Sequence, residues 1–259
     1  MPLSNNQKEK ISTLLERKIE DKLKRYARES YSMPFLTRLI QDSEKVASYS
    51  FIHSIATTLG MSIYEDVSKI IAEETADECF TKYDIGGVLS REQKSVINDI
   101  VRKLRNKEEK VNHDKEVQLV LSATPKDGTA QNEGRIADFY MFRDGLEHYF
   151  EIKTVKPNID VFTKSKAKLL EWIARRRKTV KVFLAFPYNP YHPKPYERFT
   201  EQGLLERSKE FLIGNEYWDF LGGTNTFDEL LDLFDSVGKE YKNKIKEKIQ
   251  QVAREKMQQ

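Results

Sequence analysis

Two carboxylates and one ammonium group carry the clearest chemical signal in the chain. Asp138 ends the segment Gly134-Arg-Ile-Ala-Asp138, and Glu151-Ile152-Lys153 follows it across a run interrupted by Asp144-Gly145. Asp-Gly suits a two-residue type I′ turn, in which both central residues take positive φ. A hairpin closed there pairs Arg143 with Leu146, and the same register sets Asp138 opposite Glu151 with β-carbons roughly 4.5–5.5 Å apart. Strand alternation puts Lys153 on the face of Glu151 and turns Phe150 and Ile152 to the other face. Like charges in direct opposition destabilise a sheet, and a divalent cation would offset that cost. Hard oxygen ligands at this spacing suit Mg²⁺, which binds through one or two carboxylates and keeps water and phosphate oxygens as its other ligands. Such an ion can lower the pKa of a water and stabilise charge building on a phosphodiester. Lys153 would help orient that water and neutralise the developing charge; its bland alternative is a salt bridge, and that of the whole ribbon is a solvated hairpin.

An Asp on one strand, twelve intervening residues, then Glu-Ile-Lys on the next strand, followed by a helix and a buried strand, resembles the PD-(D/E)xK nuclease superfamily. Within it the chain resembles a type II restriction endonuclease of the TdeIII type, on the stretches Phe51–Glu65 and Ile213–Gly223. The resemblance implies a restriction-endonuclease-like α/β fold and Mg²⁺-dependent, sequence-specific hydrolysis of double-stranded DNA. Carried over by position, Asp138, Glu151 and Ile152 hold the metal and Lys153 is the catalytic lysine. Glu65 stands where many such enzymes place a further glutamate, although a surface pairing with Lys69 explains it equally well. Ala137 replaces the proline of the superfamily's name. Glu133 is a weaker candidate for the metal.

Basic residues follow the Glu-Ile-Lys strand directly: Lys164, Lys166 and Lys168, then Arg175, Arg176, Arg177 and Lys178. Lys164, Lys166, Arg175, Arg176 and Arg177 are expected at DNA phosphates, which set affinity and its salt dependence. Asn189 and Lys194, in the proline-rich loop from Pro187 to Pro195, have side chains that read adenine and guanine edges; a loop covering the sheet edge is the equal alternative. Trp218 reads as core. A palindromic target would call for a homodimer, and a cognate methyltransferase is expected in the same system without being physically required. Two other classes are open: a repair or junction nuclease using the same three residues, and a non-catalytic DNA-binding protein in which Glu151→Ala changes nothing.

The elements that must position these groups can be read from periodicity. Residues 5–110 read as almost continuous helix, with breaks at Ser32-Met33-Pro34, Gly60 and Gly86-Gly87, one helical segment running from about Ile63 to Tyr83. Ser90 with Gln93 forms a capping-box pattern. Val117–Leu121 reads as a buried strand, Arg135–Phe142 and Leu146–Val155 as the hairpin, Phe162–Lys178 as helix and Thr179–Phe186 as an apolar strand. Helix is expected again over Glu201–Ile213, Glu216–Leu221 and from Phe227 onward, the last with a stripe of Tyr241, Ile245, Ile249 and Val252 that packs on the body or a partner. Strand, hairpin, helix, strand is the order of an α/β core with a mixed sheet. The partition expected is one nuclease domain over 1–259: a helical layer 1–110, a catalytic core 111–186 and a loop and helical region 187–259.

Composition narrows the classes. The 259 residues carry 44 Lys and Arg against 41 Asp and Glu, a net charge of +3, so a nucleic-acid surface must come from local clustering. The lone cysteine, Cys79, and histidines at 53, 113, 148 and 192 lack zinc spacing. No P-loop or GxSxG pattern occurs. With no apolar stretch at Met1–Glu9 and none long enough to span a membrane, a cytoplasmic protein without membrane partners is expected.

Overall fold

A computed structural model describes residues 3–29, 33–124, 134–154, 157–197 and 203–257. In chain order the elements are α1 (Asn5–Glu29), α2 (Pro34–Ile40), α3 (Ser43–Thr58), a π-helical turn (Leu59–Ile63), α4 (Tyr64–Ala72), β1 (Glu78–Asp84), α5 (Arg91–Arg105) and α6 (His113–Ser122). Then follow β2 (Ile136–Arg143), β3 (Leu146–Ile152), α7 (Ile159–Arg176), β4 (Lys181–Phe186), α8 (Arg207–Glu210), β5 (Phe211–Ile213), α9 (Asn215–Gly222) and α10 (Thr226–Met257). The chain divides into two compact units, Met1–Ile70 with Asn225–Gln259, and Ile71–Thr224.

The first unit is helical. Its core joins Tyr26 and Leu23 of α1, Phe51 and Ile55 of α3, and Ile245, Ile249 and Val252 of α10, so the stripe on the C-terminal helix packs on this chain's own helices. Tyr26 meets Phe51 edge-on at 4.9 Å and its hydroxyl donates to Ala47 O. Gly60, expected to interrupt the helix, lies in the π turn that carries α3 into α4.

The second unit holds a mixed five-stranded sheet in the order β1-β2-β3-β4-β5. β1, β2 and β3 are antiparallel neighbours, whereas β3, β4 and β5 run parallel. The parallel step is possible because α7 returns the chain across the sheet between β3 and β4. Tyr140, Tyr149, Val182 and Leu184 share one core with Trp172 of α7 and Ile97 and Ile100 of α5. Aromatic contacts join Phe150 and Phe183 to Tyr217 and Phe220 of α9. The capping box at Ser90 and Gln93 starts α5 as expected, with bonds of 3.0 and 3.1 Å.

Three sequence readings need correction. The segment expected as helix to Tyr83 ends at Ala72, and Glu78–Asp84 is a strand paired to β2; its aromatic and threonine content outweighs the helical spacing once a partner is present. Val117–Leu121, expected as a strand, lies in α6, which Asn112 caps. A short apolar run cannot be assigned by periodicity alone. Glu201–Ile213, expected as helix, holds only the short α8 before β5; residues 198–202 lie outside the described residues.

Candidate active site

Asp144 and Gly145 take φ of 53° and 74°, as a type I′ turn demands. The register runs from Arg143 opposite Leu146 to Phe139 opposite Phe150. Continued by one pair, it brings Asp138 to Glu151, where the backbone ladder has ended. On the other side, β1 pairs Thr81 with Phe139 and Tyr83 with Ala137, leaving out Lys82, whose φ is 49°. Asp138 therefore sits where the β3 ladder has ended and the β1 ladder misses one pair before it resumes at Tyr83 and Ala137. Its Oδ2 replaces the missing backbone acceptor and takes the Ile152 N–H at 2.7 Å.

Glu151 is buried, and its two oxygens each receive an ammonium group: Lys153 Nζ at 2.5 Å, and Lys168 Nζ. Burial pushes the Asp138 carboxyl above its ordinary value and the facing Glu151 carboxylate adds to the rise, against the pull of Lys168, Lys153 and the Ile152 amide. Two ammonium groups thus match the two acids in number, and the rise at Asp138 comes first from its burial. The lysine side chains are 34% and 22% exposed, so the cluster is reached from solvent on their side.

Lys168 is the residue that the expected site omitted. α7 lies antiparallel to β3 and pairs Lys168 with Glu151, Trp172 with Tyr149 at 6.1 Å between ring centroids, and Arg176 with Glu147 at 2.6 Å. Four helical residues rise about 6.0 Å and two strand residues about 6.6 Å, so the two rows keep step. The signal was present as a Lys-Trp-Arg row at four-residue spacing facing Glu-Tyr-Glu at two-residue spacing. Reading it requires knowing that α7 packs on that face.

The expected DNA contacts separate by environment. Lys164 is exposed and extends the row of Lys168 by one helical turn, and Arg177 and Lys194 are exposed as well. Lys166 is a correction: it is fully enclosed, with Nζ 2.5 Å from Glu116 and 2.6 Å from Glu210, and no phosphate can reach it. Arg175 is buried too and donates to Gly87 O at 3.2 Å. A β-carbon on Gly87, whose φ is 68°, would stand 2.6 Å from Arg175 O, so the Gly86-Gly87 turn and Arg175 fit only as a pair. Arg176 makes a two-pronged bond to Glu147, which is buried yet held at about 2 because Arg176, Lys178 and the Tyr149 hydroxyl outweigh the cost of burial. The Asn189 side chain donates to Lys194 O and accepts from Tyr191 N, which ties up both of its ends within the loop. Trp218 is buried, its indole donating to Pro187 O.

Glu65 lies in the first unit, in the first turn of α4, and is 7% exposed, so a solvated surface pairing does not describe it. Glu133 lies outside the described residues. His113, Glu116 and Glu210 form a buried group with metal-ligand character. Their carboxylates converge on the Lys166 ammonium, and His113 Nδ1 stands 3.1 Å from Glu210, so a cation of the chain's own already fills that position.

A mixed sheet bearing Asp, then Glu-x-Lys, on the parted end of an antiparallel hairpin defines the class of PD-(D/E)xK nucleases. The family model "Type II restriction endonuclease, HinfI" matches residues 3–238. Over 95% of its length the chain is 30% identical to the type II restriction enzyme MjaII of Methanocaldococcus jannaschii, covering 74% of that protein. It is 28% identical to the type II restriction enzymes HgiEI and HgiCII of Herpetosiphon aurantiacus, with 78% and 77% of this chain aligned to 76% and 75% of theirs. The chain belongs to the HinfI family of type II restriction endonucleases, and is thus a site-specific deoxyribonuclease. The matched family is HinfI, not the TdeIII type that the motifs resembled.

Proposed function

We propose that the chain hydrolyses both strands of duplex DNA at a short recognition sequence with Mg²⁺ held by Asp138, Glu151 and the Ile152 carbonyl. The observation that carries this reading is the pair of facing acids at the hairpin end, where burial first and then the neighbouring Glu151 raise Asp138. The donor set fits the ion: two hard carboxylates, with the Ile152 N–H turned toward β2. In an extended residue the carbonyl follows its N–H to the same edge. When bound, the ion would lower the pKa of a water and neutralise charge on the phosphate.

The chain's own groups do the rest. Lys153 and Lys168 bring two positive charges to the same carboxylate and so to the phosphate that must approach it, where they stabilise charge as it develops. Lys164, Arg177 and Lys194 are exposed and supply backbone contacts; Arg176 and Asn189 act through the Glu147 pair and the loop. Glu65 is proposed as a third acid on the resemblance alone. The two units together act as one nuclease domain, in the cytoplasm, as a homodimer on a palindromic site, with a methyltransferase protecting the host sequence. No helix among the described residues is long and apolar enough to cross a membrane.

Digestion of sequenced plasmid DNA with Mg²⁺, followed by end mapping, tests this reading. Discrete fragments with one common end sequence are expected, and none from Glu151→Ala. Full activity in Glu151→Ala would refute it.

A further inference from the structure

We propose that the groove between α1 and the π turn of the first unit binds the phosphate backbone of duplex DNA. Arg17, Lys18, Lys22 and Arg25 of α1 line it together with Asp21, Thr58 and Ser62, around a volume of about 450 Å³. Steps of three and four residues put Lys18, Lys22 and Arg25 on one helical face, with Arg17 beside them. Ile11, Leu14 and Leu15, buried one and two turns earlier, lie on that same face, so along α1 the face passes from core to cations. Four lining cations outnumber the lining Asp21 and the Asp66 carboxylate that pairs with Lys18.

Its two arginines differ from the paired lysines found elsewhere on the surface. Lys103, Lys115, Lys209 and Lys239 each meet a carboxylate within 2.5–2.9 Å. Arg17 and Arg25 are exposed and, among the described residues, have no such partner. Lys18 is held in place by Ser62 Oγ at 2.9 Å and Asp66 at 3.4 Å. Ser62 accepts that bond, which leaves its own O–H to donate to a phosphate oxygen. The π turn puts Ser62 there, and wide turns of this kind occur often at functional sites. From Arg17 to Arg25 the helix rises about 12 Å, over which duplex DNA presents about seven charges. Guanidinium groups suit phosphate oxygens, and a duplex presents them in a continuous row that no small anion offers.

The inference rests on the reading of duplex DNA as substrate, and uses only the first unit. The test is the affinity of the full chain in Ca²⁺, without cutting, for one duplex that it cleaves and one that it does not, between about 50 and 200 mM salt. Arg17→Ala/Arg25→Ala should flatten the slope of log affinity against log salt by about 1.8, about 0.9 for each phosphate that is no longer neutralised. Across that fourfold range of salt the wild type then loses about tenfold more affinity than the variant. The loss at low salt should be the same on both duplexes, and Arg17→Lys/Arg25→Lys should keep the wild-type slope. Alanine suits a helix interior, and circular dichroism checks that the fold is kept. An unchanged slope in the alanine variant, or a loss confined to the cleaved duplex, overturns the proposal while the function stands. A wild-type protein that binds neither duplex overturns the function and the groove with it.

Discussion

Replacing Lys166 with methionine separates the two roles open to that residue. As a phosphate contact it would leave stability intact and weaken DNA binding. The structure gives it the opposite part: Nζ lies 2.5 Å from Glu116 and 2.6 and 2.7 Å from the two oxygens of Glu210, and neither side chain of the Lys166–Glu210 pair is exposed at all. Methionine fills nearly the same space, so the cavity term is small. The cost is that of two buried carboxylates without a counter-charge, about 3–5 kcal/mol for breaking a buried pair. In a domain of 150–250 residues each kcal/mol moves Tm by about 2–4 °C, so a fall on the order of 6–20 °C is expected. The pH dependence identifies the cause. Burial alone would raise the Glu210 carboxyl, but Lys166 and His113 bring it from 4.5 down to about 2. A carboxyl lowered in the folded state contributes stability that is full above its unfolded value and lost as pH falls through its folded one. The wild type therefore loses this contribution between about pH 5 and pH 2. In Lys166→Met the sign reverses, because protonation relieves the two stranded acids and the deficit in Tm narrows from pH 7 to pH 5. Scanning calorimetry at both pH values, with duplex affinity measured in Ca²⁺ below the transition, checks each part. A Tm within about 2 °C of wild type, less than the shift from 1 kcal/mol, together with lost DNA affinity would refute the buried assignment. Glu116→Gln/Lys166→Met/Glu210→Gln should recover much of the loss, since removing the whole buried charge group is far less costly than removing one member.

Asp138→Asn and Glu151→Gln should each slow cleavage by at least 10²–10³-fold, on the order of the loss of one electrostatic partner of the transition state, with duplex binding in Ca²⁺ retained. Single-turnover digestion and fluorescence anisotropy measure the two. Because the Asp138 carboxyl is raised, its charged form is penalised in the folded state, and the stability it offers at low pH is lost as pH rises. Asp138→Asn should therefore melt higher than wild type above neutral pH while being inactive; a lower Tm there would contradict the assignment. Lys168→Met should reduce the single-turnover rate by about 10–100-fold, a smaller loss than for a metal-binding acid, and unchanged kinetics would show that Lys168 only balances the charge of Glu151.

The hairpin was legible because everything that defines it is local. Asp144-Gly145 sets the turn, the turn sets the register, and the register brings Asp138 toward Glu151 and Lys153 onto the Glu151 face. The C-terminal stripe was legible for the same reason, since the spacing of Tyr241, Ile245, Ile249 and Val252 depends only on the helix that bears them. β1 was not legible: burial along Glu78–Asp84 alternates at every residue, but Phe80 stands on the exposed side and Thr81 on the inner one, and what makes it a strand is β2, more than fifty residues onward. The same holds for β5, three residues long and defined by its parallel neighbour β4.

Lys164, Lys166 and Lys168 show the difference most directly. As a string they look like one basic cluster, but successive members on a helix stand about 200° apart. Lys164 and Lys168 fall within about 40° of each other on the row that follows β3. Lys166 points almost directly away from them, toward Glu116 of α6 and Glu210 of α8. A single helix thus serves two charge systems. One of its faces carries an ammonium to the acidic end of the hairpin, where the proposed cation and phosphate would meet. The other closes a buried group of acids by itself, and that group holds α7 to α6 and α8 at the position where Lys168 reaches Glu151 and Arg176 reaches Glu147. Any change that rotates α7 must break the enclosed pairs before it can misplace the exposed lysine.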